Sequence, residues 1–82
     1  MNRDWVLFQL QEARDEIHRT IAQIEVNPDY DVGELVVAME NLYHHLNTAW
    51  NSRDEQAGRI AAATREDFYR WRRFPEDIRL GR

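Results

Sequence analysis

The sequence predicts an all-α fold, a three-helix antiparallel bundle followed by a short irregular C-terminal tail. Apolar residues recur at three- and four-residue steps along most of the 82 residues, which is the period of one helix face. Only two prolines and three glycines interrupt the chain, too few for a turn-rich β fold. The links between the periodic segments are short, as between antiparallel neighbouring helices. The length suits a single helical domain over 1–82.

The first helix is predicted over 4–26. Asp4 is expected to cap its start, and Asn27 ends it because the residue before a proline avoids the helical region. Polar residues such as Glu16 are expected on the solvent side. One apolar stripe is expected to pack against the bundle, and it comprises Val6, Leu10, Ala13, Ile17, Thr20, Ile21 and Ile24.

The second helix is predicted over 31–51 and is the element with the clearest period. Asp31 followed by Glu34 resembles a capping box. The spacing of its stripe is close to 3.6 residues, so this helix is expected to pack centrally. The stripe comprises Val32, Leu35, Val36, Met39, Leu42, Tyr43, Leu46, Ala49 and Trp50.

The third segment is predicted over 54–73, either as one helix or as two short helices divided near Thr64. Its apolar stripe is continuous, which favours one helix. Gly58 and a second capping box at Thr64, after a first one at Ser52, favour two helices. Residues 74–82 are expected to form the irregular tail, because Phe74-Pro75 stops the helix.

Composition restricts the classes of function. The chain has no cysteine, which excludes disulfides and thiolate metal sites. Its net charge of -4 argues against nucleic-acid binding by the whole surface. It contains no apolar stretch long enough for a signal peptide or a membrane span. A soluble protein of the cytoplasm, with no membrane partner, is therefore expected.

No catalytic, cofactor or metal site is expected. Helical bundles can hold metals between inward Glu and His side chains, and the candidates here are His18, Glu40, His44 and His45. They do not converge in the predicted helices, and His44 projects about 150° from the centre of its apolar stripe, toward solvent. No serine or threonine has a histidine next to it to act as a base.

A run of arginines and aromatic residues lies near the end of the third segment, over 68–74. Arg65, Tyr69, Arg72 and Arg73 share one outer flank of the predicted helix. Tyrosine and arginine are typical of protein-interface hot spots. Arginine beside aromatic rings also suits phosphate contact and base stacking. A third interpretation is an ordinary surface, since arginine near a helix C-terminus favours the helix dipole.

Two aromatic residues of the first helix, Trp5 and Phe8, lie off its apolar stripe. Either the tail over 74–80 covers them, or they form a surface for a partner or a dimer.

The function is thus predicted only at the level of class: a non-enzymatic, small helical protein–protein interaction module, which includes binding to a second copy of itself. The alternative is a nucleic-acid-associated helical protein that uses the arginine-rich flank, and the remote alternative is a metal-binding bundle. The candidate partner-binding residues are Trp5, Phe8, Arg65, Tyr69, Arg72 and Arg73.

Overall fold

The structure is a computed structural model that describes residues 1–81. It contains helices α1 (Arg3–Val26), α2 (Val32–Asn51), α3 (Ala57–Ala61) and α4 (Arg65–Trp71), with no strand in this range. The all-α prediction is confirmed, and the third segment is divided before α4. None of these helices is both long and apolar enough to cross a membrane.

Helices α1 and α2 form an antiparallel hairpin. Asn2 caps α1, because its side chain accepts a hydrogen bond from the Trp5 backbone N–H. The prediction that Asp4 is the cap is therefore wrong by two residues, and Asp4 lies in the first turn. The start of α1 is bonded to the end of α2, since the Asn2 N–H donates to the Arg53 carbonyl over 2.6 Å.

The chain reverses between the two helices as predicted. The Tyr30 N–H donates to the Asn27 carbonyl over 3.1 Å and closes the turn. Asp31 then caps α2 by accepting from the Glu34 N–H over 3.0 Å. A short closed turn of this kind holds the two helices side by side along their length.

The line along which α1 and α2 meet is made of small and polar side chains. Gln9, Ala13 and Glu16 are the buried residues of α1, and Ala38 is buried on the facing helix. The Gln9 side-chain oxygen lies 2.9 Å from Nδ1 of His45 across the line. The prediction that Glu16 faces solvent is wrong. Its carboxylate is largely buried and is paired with the exposed Arg19.

The third segment contains two short helices because a cap interrupts it. Thr64 caps α4 in the predicted capping box. The Asp67 N–H donates to the Thr64 hydroxyl, and the Thr64 N–H donates to the Asp67 carboxylate. The other predicted box is wrong, since Ser52 ends α2, and Gln56 precedes α3 without a capping hydrogen bond from its side chain. The helices therefore cover less of the chain than the predicted 54–73.

The second half of this segment packs against the end of α2. Asn47 donates to the Arg72 carbonyl over 2.9 Å, and Asn51 donates to the Trp71 and Arg73 carbonyls over 2.7 Å each. A single antiparallel helix over 54–73 would instead end about 25 Å further along α2. The break before Thr64 lets the third segment stay at the open end of the hairpin, where α1 begins and α2 ends.

The hydrophobic core is small. The buried apolar residues are Ala13, Ala38, Ala49 and Trp71, so Trp71 is the only large side chain among them. The molecule is also elongated. Its radius of gyration is 14.6 Å and its extents are 44 × 29 × 22 Å, whereas a compact chain of this length has a radius of about 11.7 Å.

Ser52 joins the two ends of the hairpin. Its hydroxyl accepts a hydrogen bond from the Trp5 indole N–H over 2.8 Å and donates to the Thr48 carbonyl. Ser52 is 1% exposed. Water therefore cannot easily replace the hydroxyl as a partner for the indole.

We expect Ser52→Ala to destabilise the fold by about 1–3 kcal/mol, because it leaves the indole N–H of Trp5 without an acceptor. Urea unfolding at one fixed protein concentration measures the loss. Trp5→Phe removes the donor, so Ser52→Ala is expected to cost less in that background. Equal costs in the two backgrounds would contradict the assigned role of this hydrogen bond.

Candidate functional site

One side of the hairpin presents a continuous row of large apolar side chains. Ile17 and Ile21 of α1 line a groove together with Met39 and Leu42 of α2, and the accessible lining of this groove is apolar. The row extends along both helices in each direction. We call it the hairpin face, and define it as Leu10, Ile17, Ile21, Ile24, Leu35, Met39, Leu42 and Leu46.

The geometry of the two helices explains why these residues share a side. On a helical wheel of 100° per residue, we compare the centre of the apolar stripe with the buried line, which is the row of residues buried between the two helices. The two directions differ by about 80° on α1 and by about 70° on α2. The rotation has the same sense on both helices. Because the helices are antiparallel, rotations of the same sense turn both stripes toward one side of the hairpin.

The short helices lie on the opposite side. Trp5 and Ser52, which hold the start of the third segment, are rotated from the buried line in the other sense. Asn47 and Asn51, which hold the end of α4, lie on the back of α2. Within residues 1–81, Arg72 borders the face at Met39, and the groove between Ile17 and Met39 is lined by residues of α1 and α2 alone.

Most of this face is solvent-exposed. Ile21 and Ile24 are each 49% exposed and Ile17 is 42% exposed. The sequence predicted these stripes correctly as apolar faces. The expectation that these stripes pack within the chain holds for Ala13 and Ala49, which are buried. It is wrong for the large residues of the hairpin face, because small and polar residues occupy the line between α1 and α2. Only Leu42 is half-buried.

The exposed apolar face is reflected in the total surface. The accessible surface is 6344 Å², and a compact monomer of 9.9 kDa has about 5,200 Å² by the usual scaling with mass. The chain therefore exposes about 1,100 Å² more than a compact protein of its size.

Trp5 and Phe8 contact each other and border α3. Their rings stack with centroids 5.9 Å apart, and they line a shallow groove with residues of α3 such as Ile60. Of the two interpretations of these aromatic residues, coverage by the tail over 74–80 is wrong. The tail lies at α2 instead, where the Asp77 carboxylate accepts from the Trp50 indole N–H over 2.9 Å. This hydrogen bond lowers the pKa of Asp77.

The arginine-rich flank is exposed, and part of it is already engaged. The Arg72 guanidinium lies 4.2 Å from the centroid of the Tyr69 ring, so it occupies a ring face on which a base would stack. Arg65 begins α4, and Arg73 follows its end. These four residues remain predicted partner contacts, and the structure brings Arg72 and Tyr69 together.

Asp67 joins α3 to α4. Its buried carboxylate accepts hydrogen bonds from Arg59 over 2.8 and 2.6 Å, and from Arg70 over 2.8 Å. The bonds from Arg59, followed by that from the Thr64 backbone, hold the pKa of Asp67 far below its usual range, although burial opposes them. The site is saturated by internal partners, which is typical of a structural role.

The His44 and His45 rings contact each other, with centroids 4.9 Å apart, and His18 lies on the other long helix. The prediction that His44 points to solvent is wrong, because it is half-buried and lines a pocket with Arg72. Burial, with the nearby charges of His45 and Arg72, lowers the pKa of His44. His18 and Glu40 are exposed. Within residues 1–81, no three His, Asp or Glu side chains form a group that could hold a metal ion.

Comparisons of the chain with protein-family models, with curated proteins and with solved structures find no match. The hairpin face therefore has to be interpreted from its own residues. Periodicity alone could not identify it as a surface, because an apolar stripe does not indicate which chain covers it. The sequence did contain a signal for an uncovered surface. The first two helices each carry a long apolar stripe, and the third segment is too broken to lie along both.

The Asp67 ion pairs predict a pH dependence. The folded-state pKa lies below the unfolded value of about 3.8, so the stabilisation is present above that value and is lost as the pH falls toward the folded pKa. We expect Asp67→Asn to lower the melting temperature at pH 7 and to approach wild type below about pH 3.

Thermal unfolding followed by circular dichroism at several pH values measures the difference. Glu66→Gln is the matched control, because Glu66 is an exposed acid in the same turn. It removes the same charge and is expected to have little effect. A gap between Asp67→Asn and wild type that stays constant from pH 7 to about pH 2 would contradict the assignment.

Proposed function

We propose that this chain is a cytoplasmic, non-catalytic helical module that binds another protein through the hairpin face. The observation that carries the proposal is the exposed apolar row along α1 and α2, on the side that the rest of the described chain leaves open. Leu, Ile and Met side chains make up the row. Its function is thus binding by apolar burial.

The extent of the face supports a protein partner. Single exposed apolar residues are ordinary, and the largest apolar patch of a typical monomer covers about 300–600 Å². The hairpin face runs over about 21 Å of α1, from Leu10 to Ile24, and over about 17 Å of α2, from Leu35 to Leu46. A row of this length matches another helical surface better than it matches a small ligand.

The chemistry of the face also favours protein over the other ligand classes. Small-molecule sites are concave and carry a few convergent polar groups that fix the ligand. The groove between Ile17 and Met39 is small, and its accessible lining has no such group. Membrane-binding helices carry lysine and arginine along their polar face, whereas this chain has a net charge of -4.

The residues proposed here differ from those singled out in the sequence. Trp5 is engaged with Ser52 and borders α3, and Arg72 is engaged with Tyr69. These internal contacts leave less of the Trp5 and Arg72 side chains available for contact with a partner. Phe8 is 48% exposed and remains open for a secondary contact on the other side of the hairpin.

Affinity capture with matched variants tests the proposal. Ile21→Glu places a charge in the hairpin face. Val37→Glu makes a comparable change on the opposite side of α2, at a residue that is 56% exposed. Each tagged chain is expressed in its native host, and the captured proteins, including untagged copies of the chain, are quantified by mass spectrometry.

We expect wild type and Val37→Glu to capture the same proteins. Ile21→Glu is expected to lose them by at least about tenfold, because burying an unpaired carboxylate costs several kcal/mol. Circular dichroism establishes that each variant is helical. Equal capture by all three folded chains would contradict the proposal that the hairpin face is the binding surface.

A further inference from the structure

We propose that the occupant of the hairpin face is a second copy of this chain, and that two hairpins pack face to face as a four-helix bundle. The inference rests on the proposed function and names the partner. It follows from the surface area, the size of the core and the shape of the face.

The excess accessible surface of each chain is close to the area that a stable dimer interface buries. Each chain exposes about 1,100 Å² more than a compact monomer of 9.9 kDa. A standard stable interface buries about 800 Å² on each partner, and obligate homodimers bury more. Burial of the hairpin face in one symmetric contact would therefore bring the surface of each chain to the value usual for its mass.

The core indicates that the face is covered whenever the chain is folded. Three alanines and Trp71 are the buried apolar residues, whereas small domains rely on several large ones. Ile17, Ile21 and Leu46 remain 42%, 49% and 39% exposed, so burial of their exposed parts across an interface would add to the stability of the fold. A partner needed at all times must be present in equal amount, and a second copy always is.

The shape of the face is self-complementary. Large side chains such as Ile21 and Met39 form ridges, while Thr20 and Ala38 leave a groove between the helices. Ridges of one copy can enter the groove of another at the shallow crossing angle of four-helix bundles. A two-fold contact uses the same patch on both copies. Helices α3 and α4 lie on the outer side and do not obstruct it.

Sedimentation equilibrium of the wild-type chain gives the first test. We expect a mass of twice 9.9 kDa at micromolar concentration, which persists at high salt because apolar contacts are not screened. A helical chain that sediments at 9.9 kDa throughout this range would overturn the inference.

Matched variants test which surface forms the dimer. Ile21→Glu is expected to weaken dimerisation at least tenfold, and Val37→Glu is expected to leave it at the wild-type value. A dimer that persists in folded Ile21→Glu, or that dissociates in Val37→Glu, would overturn the assignment of the face.

If Ile21→Glu unfolds, the melting temperature of the wild-type chain still tests whether the chain is a dimer. The melting temperature of a homodimer rises with protein concentration, because dissociation accompanies unfolding. We expect a rise over a hundredfold range of concentration. A constant melting temperature would overturn the inference.

The two proposals fail separately. A folded, monomeric wild-type chain removes the second copy as the partner, yet Ile21→Glu can still abolish capture of a different protein. If folded Ile21→Glu captures the same proteins as Val37→Glu and in equal amounts, the proposed function itself is contradicted.

Discussion

The hairpin depends on how closely α1 and α2 approach. Ala13 and Ala38 are buried between the helices, and the polar pair of Gln9 and His45 lies on the same line. Small side chains let the helix axes come near each other. The same arrangement displaces the large apolar residues to one side, because each helix turns its small residues inward. The exposed hairpin face is thus a consequence of the contact that forms the hairpin.

The other side of the hairpin is completed by hydrogen bonds at its open end. Ser52 holds the start of α1, and Asn47 and Asn51 hold the end of α4. Asp67 fixes α3 to α4 through Arg59. These polar anchors, with Trp71 as the large apolar side chain that is buried, close one side of the molecule, while the hairpin face on the opposite side is exposed. In the proposed dimer, each chain would form half of a four-helix bundle.

Local patterns predicted the helices well, because caps and periodicity act over a few residues. The Thr64 cap and the turn after Asn27 are examples. Contacts between distant residues could not be predicted in this way. Asn51 lies 20 residues from its acceptor at Trp71, and nothing nearby in the sequence indicates that pairing. The stripe of α1 was apolar as predicted, but periodicity cannot show whether the surface that covers it belongs to the same chain.

The central claim is that the large apolar residues pack across chains. An isotope-filtered nuclear Overhauser experiment on an equal mixture of ¹³C-labelled and unlabelled protein tests this directly, because it detects only contacts between copies. The account predicts intermolecular signals from the methyl groups of Ile17, Ile21 and Met39, and none from Val37. Absence of intermolecular signals at those three residues, in a sample with the helical content described here, would contradict it.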